Sequence, residues 1–327
     1  MSVFGADRAR SANPMARILV TGASGYVGAA LIPRLVSDGH AVRAFARSPR
    51  RLAAAGVDVA DVALGDAVTG AGLDAALDGI DVAYFLIHSM ETPAGAGAGD
   101  DFAGRDRRAA ERFARAAARA GVRRIIYLGG LVPPGRAASP HLASRLEVER
   151  TLLDGAPEGL ALRASIVVGA RSRSFRFLVR LVERVPVMPL PSWRDHRTRP
   201  IDGRDVLAYL VRGATAEAVD GPVSLDIAGP DEVSYGELIE RIRDALLVRR
   251  PAIRLGFSLT PVAGRVAAAI AGEDHALIGP LMEGLDGDLL PRDDRAPELL
   301  GVRLHRLDAA IERALREWES TEQLRAR

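Results

Sequence analysis

The stretch Arg17-Ile18-Leu19-Val20-Thr21-Gly22-Ala23-Ser24-Gly25-Tyr26-Val27-Gly28 decides the fold. Arg17 to Thr21 is a compact apolar run, which predicts a buried β-strand. Tyr26 to Asp38 has helical spacing and Gly39 supplies its stop, so a helix follows the strand directly. Between them the glycines stand as G-x-x-G-x-x-G. The first allows a tight turn, the second lets backbone N–H groups approach a pyrophosphate, and the third lets the helix pack closely on the strand. Unpaired N–H groups and the positive end of the helix dipole then face the anion. A dinucleotide-binding turn is the expectation.

The pattern continues outward. Strands are expected over Ala41 to Ala46, Val59 to Leu64, Asp81 to Ile87, Arg124 to Leu128 and Leu160 to Val168. Helices are expected over Leu73 to Leu77, Asp100 to Ala120, Leu142 to Leu153 and Phe175 to Arg184. Asp81 to Ile87 is apolar on both faces, as a central parallel strand should be. This alternation predicts an α/β fold: a Rossmann-type, doubly wound parallel sheet with helices on both faces.

Beyond it, Asp202 reads as the N-cap of a helix reaching Gly213, and Val223 to Ile227 as a strand. Ser234 and Glu237 have capping-box spacing at the start of a helix to Leu247. Ile253 to Phe257 reads as a short strand and Leu307 to Trp318 as the last helix. Three prolines between Pro186 and Ile201 predict an irregular loop over a cleft. The expected division is a disordered leader over residues 1–15, a nucleotide-binding domain over 16–200, and a small α+β lobe over 201–327 on the substrate side, partly interleaved with the first core.

Composition narrows the chemistry. The 327 residues carry 44 basic and 42 acidic side chains, a net charge of +2 that gives no electrostatic case for nucleic acid. Every basic residue counted is arginine, so no mechanism can use a lysine amine. The absence of cysteine excludes disulfides, thiolate catalysis and cysteine-bound zinc, and is compatible with a cytoplasmic protein. No apolar run reaches the roughly 20 residues of a membrane span, so no membrane partner is expected. His196 has no neighbours at metal-ligand spacing, so no metal is expected.

The end of the second strand chooses the cofactor. NAD sites usually place an acid there for the ribose 2′-hydroxyl. Here it reads Ala46-Arg47-Ser48-Pro49-Arg50-Arg51, with no acid. Arg47 with Arg50 or Arg51 suits a 2′-phosphate, so NADP(H) is expected over NAD(H). Asp66 after the third strand suits either an adenine contact or a turn.

On these residues, together with FLIHSM (Phe85 to Met90), YLGGL (Tyr127 to Leu131), SPHLASRLEVE (Ser139 to Glu149) and LRASIVVG (Leu162 to Gly169), the chain resembles the short-chain dehydrogenase/reductase superfamily. The likeness is to its extended and atypical branches, including NmrA-like and epimerase-like NAD(P)-binding proteins. It implies that Gly22, Ser24, Gly25, Tyr26, Val27 and Gly28 line the phosphates. It further implies that Arg47 contacts the adenosine phosphate, Asp66 the adenine, and Leu86, Ile87, His88 and Ser89 the ribose, with Gly129 also beside the cofactor.

One departure matters. Catalytic members use Tyr-x-x-x-Lys, which a chain without lysine cannot supply. The corresponding place holds His141-Leu142-Ala143-Ser144-Arg145, and Gly129 and Gly130 stand where the family's serine would be. In one reading His141 transfers the proton, Arg145 holds the ribose and His88 assists, giving an atypical oxidoreductase for a small carbonyl, enone or quinone-like substrate. In another, His141 is structural and the chain is a non-catalytic NADP(H) sensor. A third is an epimerase using the nicotinamide transiently. A small-molecule substrate and a monomer or homodimer are expected.

Three further readings are bland. Tyr127 reads as core, Glu147 and Glu149 as a salt-bridged helix surface, and Arg171 to Arg180 as an amphipathic helix with an exposed basic face. Arg194 to Arg199 reads as an anion site or a solvated loop.

Overall fold

The computed structural model describes residues 15–87, 102–132, 140–185, 187–190, 192–249, 251–254 and 287–324. The expected leader, save Met15, and the side chains of His88 and His141 lie outside the described residues.

Seven parallel strands form the central sheet: β1 (Arg17–Thr21), β2 (Ala41–Ala46), β3 (Asp61–Leu64), β4 (Val82–Phe85), β5 (Arg124–Gly130), β6 (Glu158–Ala164) and, later in the chain, β11 (Val223–Ile227). Their order is β3-β2-β1-β4-β5-β6-β11. The chain therefore winds outward from β1 in one direction and from β4 in the other. The crevice between these two halves, at the carboxyl ends of β1 and β4, is where such sheets bind ligands.

Alternation along the strands separates two cores. Ile18, Val20, Tyr84, Ile126 and Leu160 face α1 (Tyr26–Ser37) and α7 (Gly203–Gly213). Leu19, Phe85, Ile125, Tyr127 and Ala161 face α3 (Leu73–Leu77), α4 (Phe102–Ala120) and α5 (Pro140–Leu153). Burial on both faces is why the strands read as apolar runs. A third core joins α6 (Arg173–Arg184), α8 (Tyr235–Ala245) and α10 (Leu307–Glu319) around Phe175, Trp193, Tyr235 and Trp318.

The caps follow the sequence. Asp202 accepts from the Arg204 N–H at 2.7 Å to start α7, and Ser234 and Glu237 form the capping box of α8.

Several elements differ from expectation. Leu160 to Val168 is not one strand. After Ala164 the chain leaves the sheet, and β7 (Val167–Val168) pairs instead with β10 (Ile201–Asp202). The proline-rich stretch is ordered as β8 (Met188–Leu190), a 3-10 turn (Ser192–Asp195) and β9 (Arg197–Thr198). β13 (Ala252–Arg254) gives β8 a partner, and β12 (Val233–Ser234) pairs with β9. A short helix, α2 (Pro49–Ala54), follows Ser48. A single turn, α9 (Ala296–Leu299), precedes α10, and its Ala296 and Leu300 join the first core.

Among the described residues no helix is long and apolar enough to cross a membrane.

Candidate functional site: a dinucleotide cradle at the sheet crossover

Gly22 leaves β1 with φ +69°, a left-handed conformation that a side chain resists. A Cβ there would also lie 2.6 Å from the Leu86 carbonyl oxygen, so the turn presses directly on the end of β4. The Thr21 hydroxyl donates to the Tyr84 carbonyl at 2.8 Å and ties the same two strands. A Cβ on Gly28 would collide with the Gly22 carbonyl, which is the close helix–strand packing assigned to the third glycine.

Gly25 is the N-cap of α1 and offers no side-chain cap. Its N–H donates to the Gly22 carbonyl at 2.9 Å, and the helix ladder begins with Ala29 N–H on the Gly25 carbonyl at 2.9 Å. The N–H groups of Tyr26, Val27 and Gly28 stand ahead of that first bond, at the positive end of the helix. Gly25 is exposed among the described residues. Glycines that side chains would fill, beneath N–H groups without helix partners, fit a pyrophosphate.

Arg47 follows β2 directly, next to the β1 exit, since Thr21 and Phe45 are register partners. Arg47, Arg50 and Arg51 are exposed and carry no ion pair among the described residues. Most arginines described nearby are engaged: Arg43, for example, grips Asp61 at 2.9 Å. Asp66 uses one carboxylate oxygen to accept from the Val68 N–H at 2.7 Å, which builds its turn. Leu86 and Ile87 are half-buried against Gly22.

Gly129 and Gly130 continue β5, opposite Arg163 and Ala164 of β6. The backbone of His141 lies in the first turn of α5. Arg145, one turn later, donates to the Leu128 carbonyl at 3.2 Å and holds its guanidinium 5.4 Å from the Tyr127 ring centre. These contacts fasten α5 to the carboxyl end of β5. Tyr127 is core as expected, 1% exposed, and burial pushes its hydroxyl up to about 12 despite the nearby Arg145.

Two readings are corrected and a third is narrowed. Glu149 is not on a surface: it is buried and binds Arg163 of β6, while the Ser224 hydroxyl of β11 donates to it at 2.6 Å. Asp226 lies beside Arg163 in the neighbouring strand and is clasped by Arg292 at 2.9 Å. The signal was available, since Arg163 and Asp226 interrupt apolar strands with opposite charges. The basic face of α6 is only partly exposed: Arg171 and Arg173 are exposed, whereas Arg176 and Arg180 lie over Trp318 at 4.1 and 4.9 Å, and both bind Glu322. In the third segment, Arg197 and Arg199 are held by Glu232, Asp288 and Asp294, which leaves less charge for a substrate anion.

Residues 22–146 match the family described as NAD(P)H-binding. The chain thus carries a Rossmann-type NAD(P)-binding domain. Its structural neighbours are short-chain dehydrogenase/reductase, epimerase and dehydratase proteins. The crystal structure of gox2253 superposes with a TM-score of 0.71 at 19% identity, covering 94% of this chain and 99% of the other. UDP-glucuronic acid 4-epimerase from Bacillus cereus, in complex with UDP-glucuronic acid and NAD, gives 0.67 at 15% identity over 93% and 99% of the two chains. In sequence, a 3 beta-hydroxysteroid dehydrogenase/Delta 5-->4-isomerase of Mycobacterium tuberculosis (strain ATCC 25618 / H37Rv) is 37% identical over 119 residues. That match takes in 35% of this chain, and the chain spans only 31% of the relative's length.

Proposed function

We propose that the chain is an atypical NADP(H)-dependent oxidoreductase acting on a small carbonyl, enone or quinone-like substrate. The carrying observation is the end of β2: three exposed arginines, Arg47, Arg50 and Arg51, without ion pairs among the described residues and with no acid between Ala46 and Arg51. A 2′-phosphate matches them, through charge-assisted bonds that a ribose hydroxyl does not offer. Support for a nicotinamide cofactor comes from the glycine cradle, the family match and neighbours whose structures contain NAD.

When bound, the dinucleotide supplies or accepts the hydride. The chain's own residues do the rest. The turn from Gly22 to Gly28 binds the phosphates, and Leu86 and Ile87 wall the ribose side. His141 gives a proton to the substrate oxygen on reduction and takes it on oxidation. Arg145 anchors the helix that carries His141. The hydroxysteroid dehydrogenase relative, whose name denotes alcohol–ketone chemistry, supports the same reaction class.

Calorimetric titration with NADPH, NADP⁺, NADH and NAD⁺, repeated on Arg47→Ala, tests this. Tight binding of the phosphorylated pair alone, weakened about tenfold or more by the variant, is expected from losing a charge-assisted bond. Equal binding of all four would sink the assignment to NADP(H).

A redox sensor is the second reading, favoured by the missing lysine and by Arg145 being engaged with β5. It requires clearly different affinities for NADP⁺ and NADPH, since only differential binding shifts a conformational equilibrium.

A further inference from the structure

The first residue of α1 reaches beyond its own helix. Tyr26 leaves the phosphate turn and seats its hydroxyl against Gly169 and Gly203. A Cβ on Gly203 would lie 2.7 Å from that hydroxyl, and one on Gly169 would be closer still. Neither glycine has a positive φ, so it is the tyrosine and not the backbone that demands glycine there.

The two glycines open two different elements. Gly169 follows β7, and its carbonyl accepts from Ser172 N–H at 3.0 Å at the entry to α6. Gly203 is the first residue of α7, directly after its N-cap Asp202. Asp202 is buried and binds Arg204 at 2.7 Å and Arg313 of α10 at 3.2 Å. Burial, then the Glu317 carboxylate of α10, push the Tyr26 hydroxyl's pKa up, and α10 itself packs on β7 and β10. One side chain from the phosphate turn thus meets the turn after β7 that leads to α6, and the start of α7. On its other side the turn abuts the Leu86 carbonyl through Gly22. Held between two close contacts, the N–H groups of the turn cannot shift without moving one of them.

We propose that Tyr26 is a positioning residue that couples dinucleotide binding to the packing of the lobe built on the third core (α6, α8 and α10), through the seat of its hydroxyl on Gly169 and Gly203. The inference rests on the dinucleotide reading above. It makes the lobe's geometry part of cofactor affinity, and cofactor binding part of the lobe's geometry.

The test is a double-mutant cycle on the full chain, read by calorimetry with NADP⁺. Gly203→Ala adds one methyl at a helical position that otherwise favours alanine. It is expected to weaken NADP⁺ binding about tenfold, a coupling common between touching residues. Tyr26→Phe removes the oxygen that the methyl strikes, so Tyr26→Phe/Gly203→Ala should bind like Tyr26→Phe alone. An equal loss from Gly203→Ala in both backgrounds would mean that the methyl disturbs α7 itself, and would overturn the proposal.

The second arm needs only Tyr26→Phe, should Gly203→Ala fail to fold. Both tryptophans, Trp193 and Trp318, belong to the third core, so their fluorescence reports on that lobe. Saturating NADP⁺ should change that fluorescence in the natural protein, and change it markedly less in Tyr26→Phe that calorimetry shows to be saturated. An unchanged signal in the natural protein, despite measured binding, overturns the coupling while leaving the cofactor site standing. No measurable binding to the natural protein overturns the dinucleotide reading and this inference with it.

Discussion

Arg163 on β6 and Glu149 on α5 close a two-pronged ion pair inside the protein. Nε stands 2.9 Å from Oε2 and Nη2 2.5 Å from Oε1, with the side chains only 9% and 5% exposed. The pair joins the helix that carries His141 to the strand beside Gly129. Removing Glu149 takes away the two-pronged partner of Arg163 and leaves the buried guanidinium with Asp226 at 3.8 Å, a loss of up to roughly 3–5 kcal/mol. Glu149→Ala should therefore lower the urea midpoint sharply. Glu149→Leu/Arg163→Met, which replaces both charges by apolar groups, should recover most of that stability. Equal destabilisation by the single and the double variant would show that the pair is not the cause.

His40 makes stability depend on pH. It is 6% exposed, and its Nδ1 accepts the Ala16 N–H at 3.3 Å, a role open only to the unprotonated nitrogen. Burial lowers its pKa below the ordinary 6.5, against the opposing pull of Asp38. The unfolded chain then takes up a proton at a higher pH than the folded one. The contribution of His40 is complete above pH 6.5 and is lost as pH falls through the lower, folded value. Denaturation series across that range should show a falling limb in the natural protein that is flattened in His40→Gln. Identical limbs would remove His40 as its source.

Gly22 and Gly39 separate strain from collision. Both have positive φ, +69° and +87°, but a Cβ on Gly39 meets nothing within 4 Å, whereas one on Gly22 meets the Leu86 carbonyl at 2.6 Å. Gly39→Ala should cost only the left-handed penalty, roughly 1–2 kcal/mol, and bind dinucleotide as before. Gly22→Ala should cost more and should lose dinucleotide affinity, because β1 and β4 must part. Chemical denaturation and calorimetry on the two variants read this directly, and unimpaired binding by Gly22→Ala would refute the placement of the cradle.

The sheet was legible because parallel strands buried on both faces must be apolar, and because glycine turns and caps act locally. Arg17–Thr21, the glycine turn, the Asp202 cap and the Ser234–Glu237 box are all interactions between near neighbours in sequence. What escaped depends on partners far along the chain. Glu149 looks like a surface charge on α5 until Arg163 and Ser224 are folded against it. Arg176 and Arg180 look solvated until Trp318 and Glu322 arrive from the last helix and its end. The reach of Tyr26 follows the same rule, since Gly169 and Gly203 carry no local sign of the side chain they accommodate.

The proposed proton donor gives the last prediction. His141 stands in the first turn of α5, one turn before Arg145, which is fastened to Leu128 and to the Tyr127 ring. With a substrate that consumes NADPH in hand, His141→Ala should lower kcat about 10²-fold or more while leaving NADP⁺ affinity unchanged. Any limb of the natural pH profile that the histidine sets should be missing in the variant. Arg145→Ala should act differently. It removes a hydrogen bond and a cation–π contact, together about 1–2 kcal/mol of stability, and should lower kcat only by loosening the helix beneath His141. Steady-state kinetics and urea denaturation on the two variants distinguish these roles. If His141→Ala retained the natural kcat and pH profile, the proton would have to come from elsewhere, and the oxidoreductase reading would lose its acid.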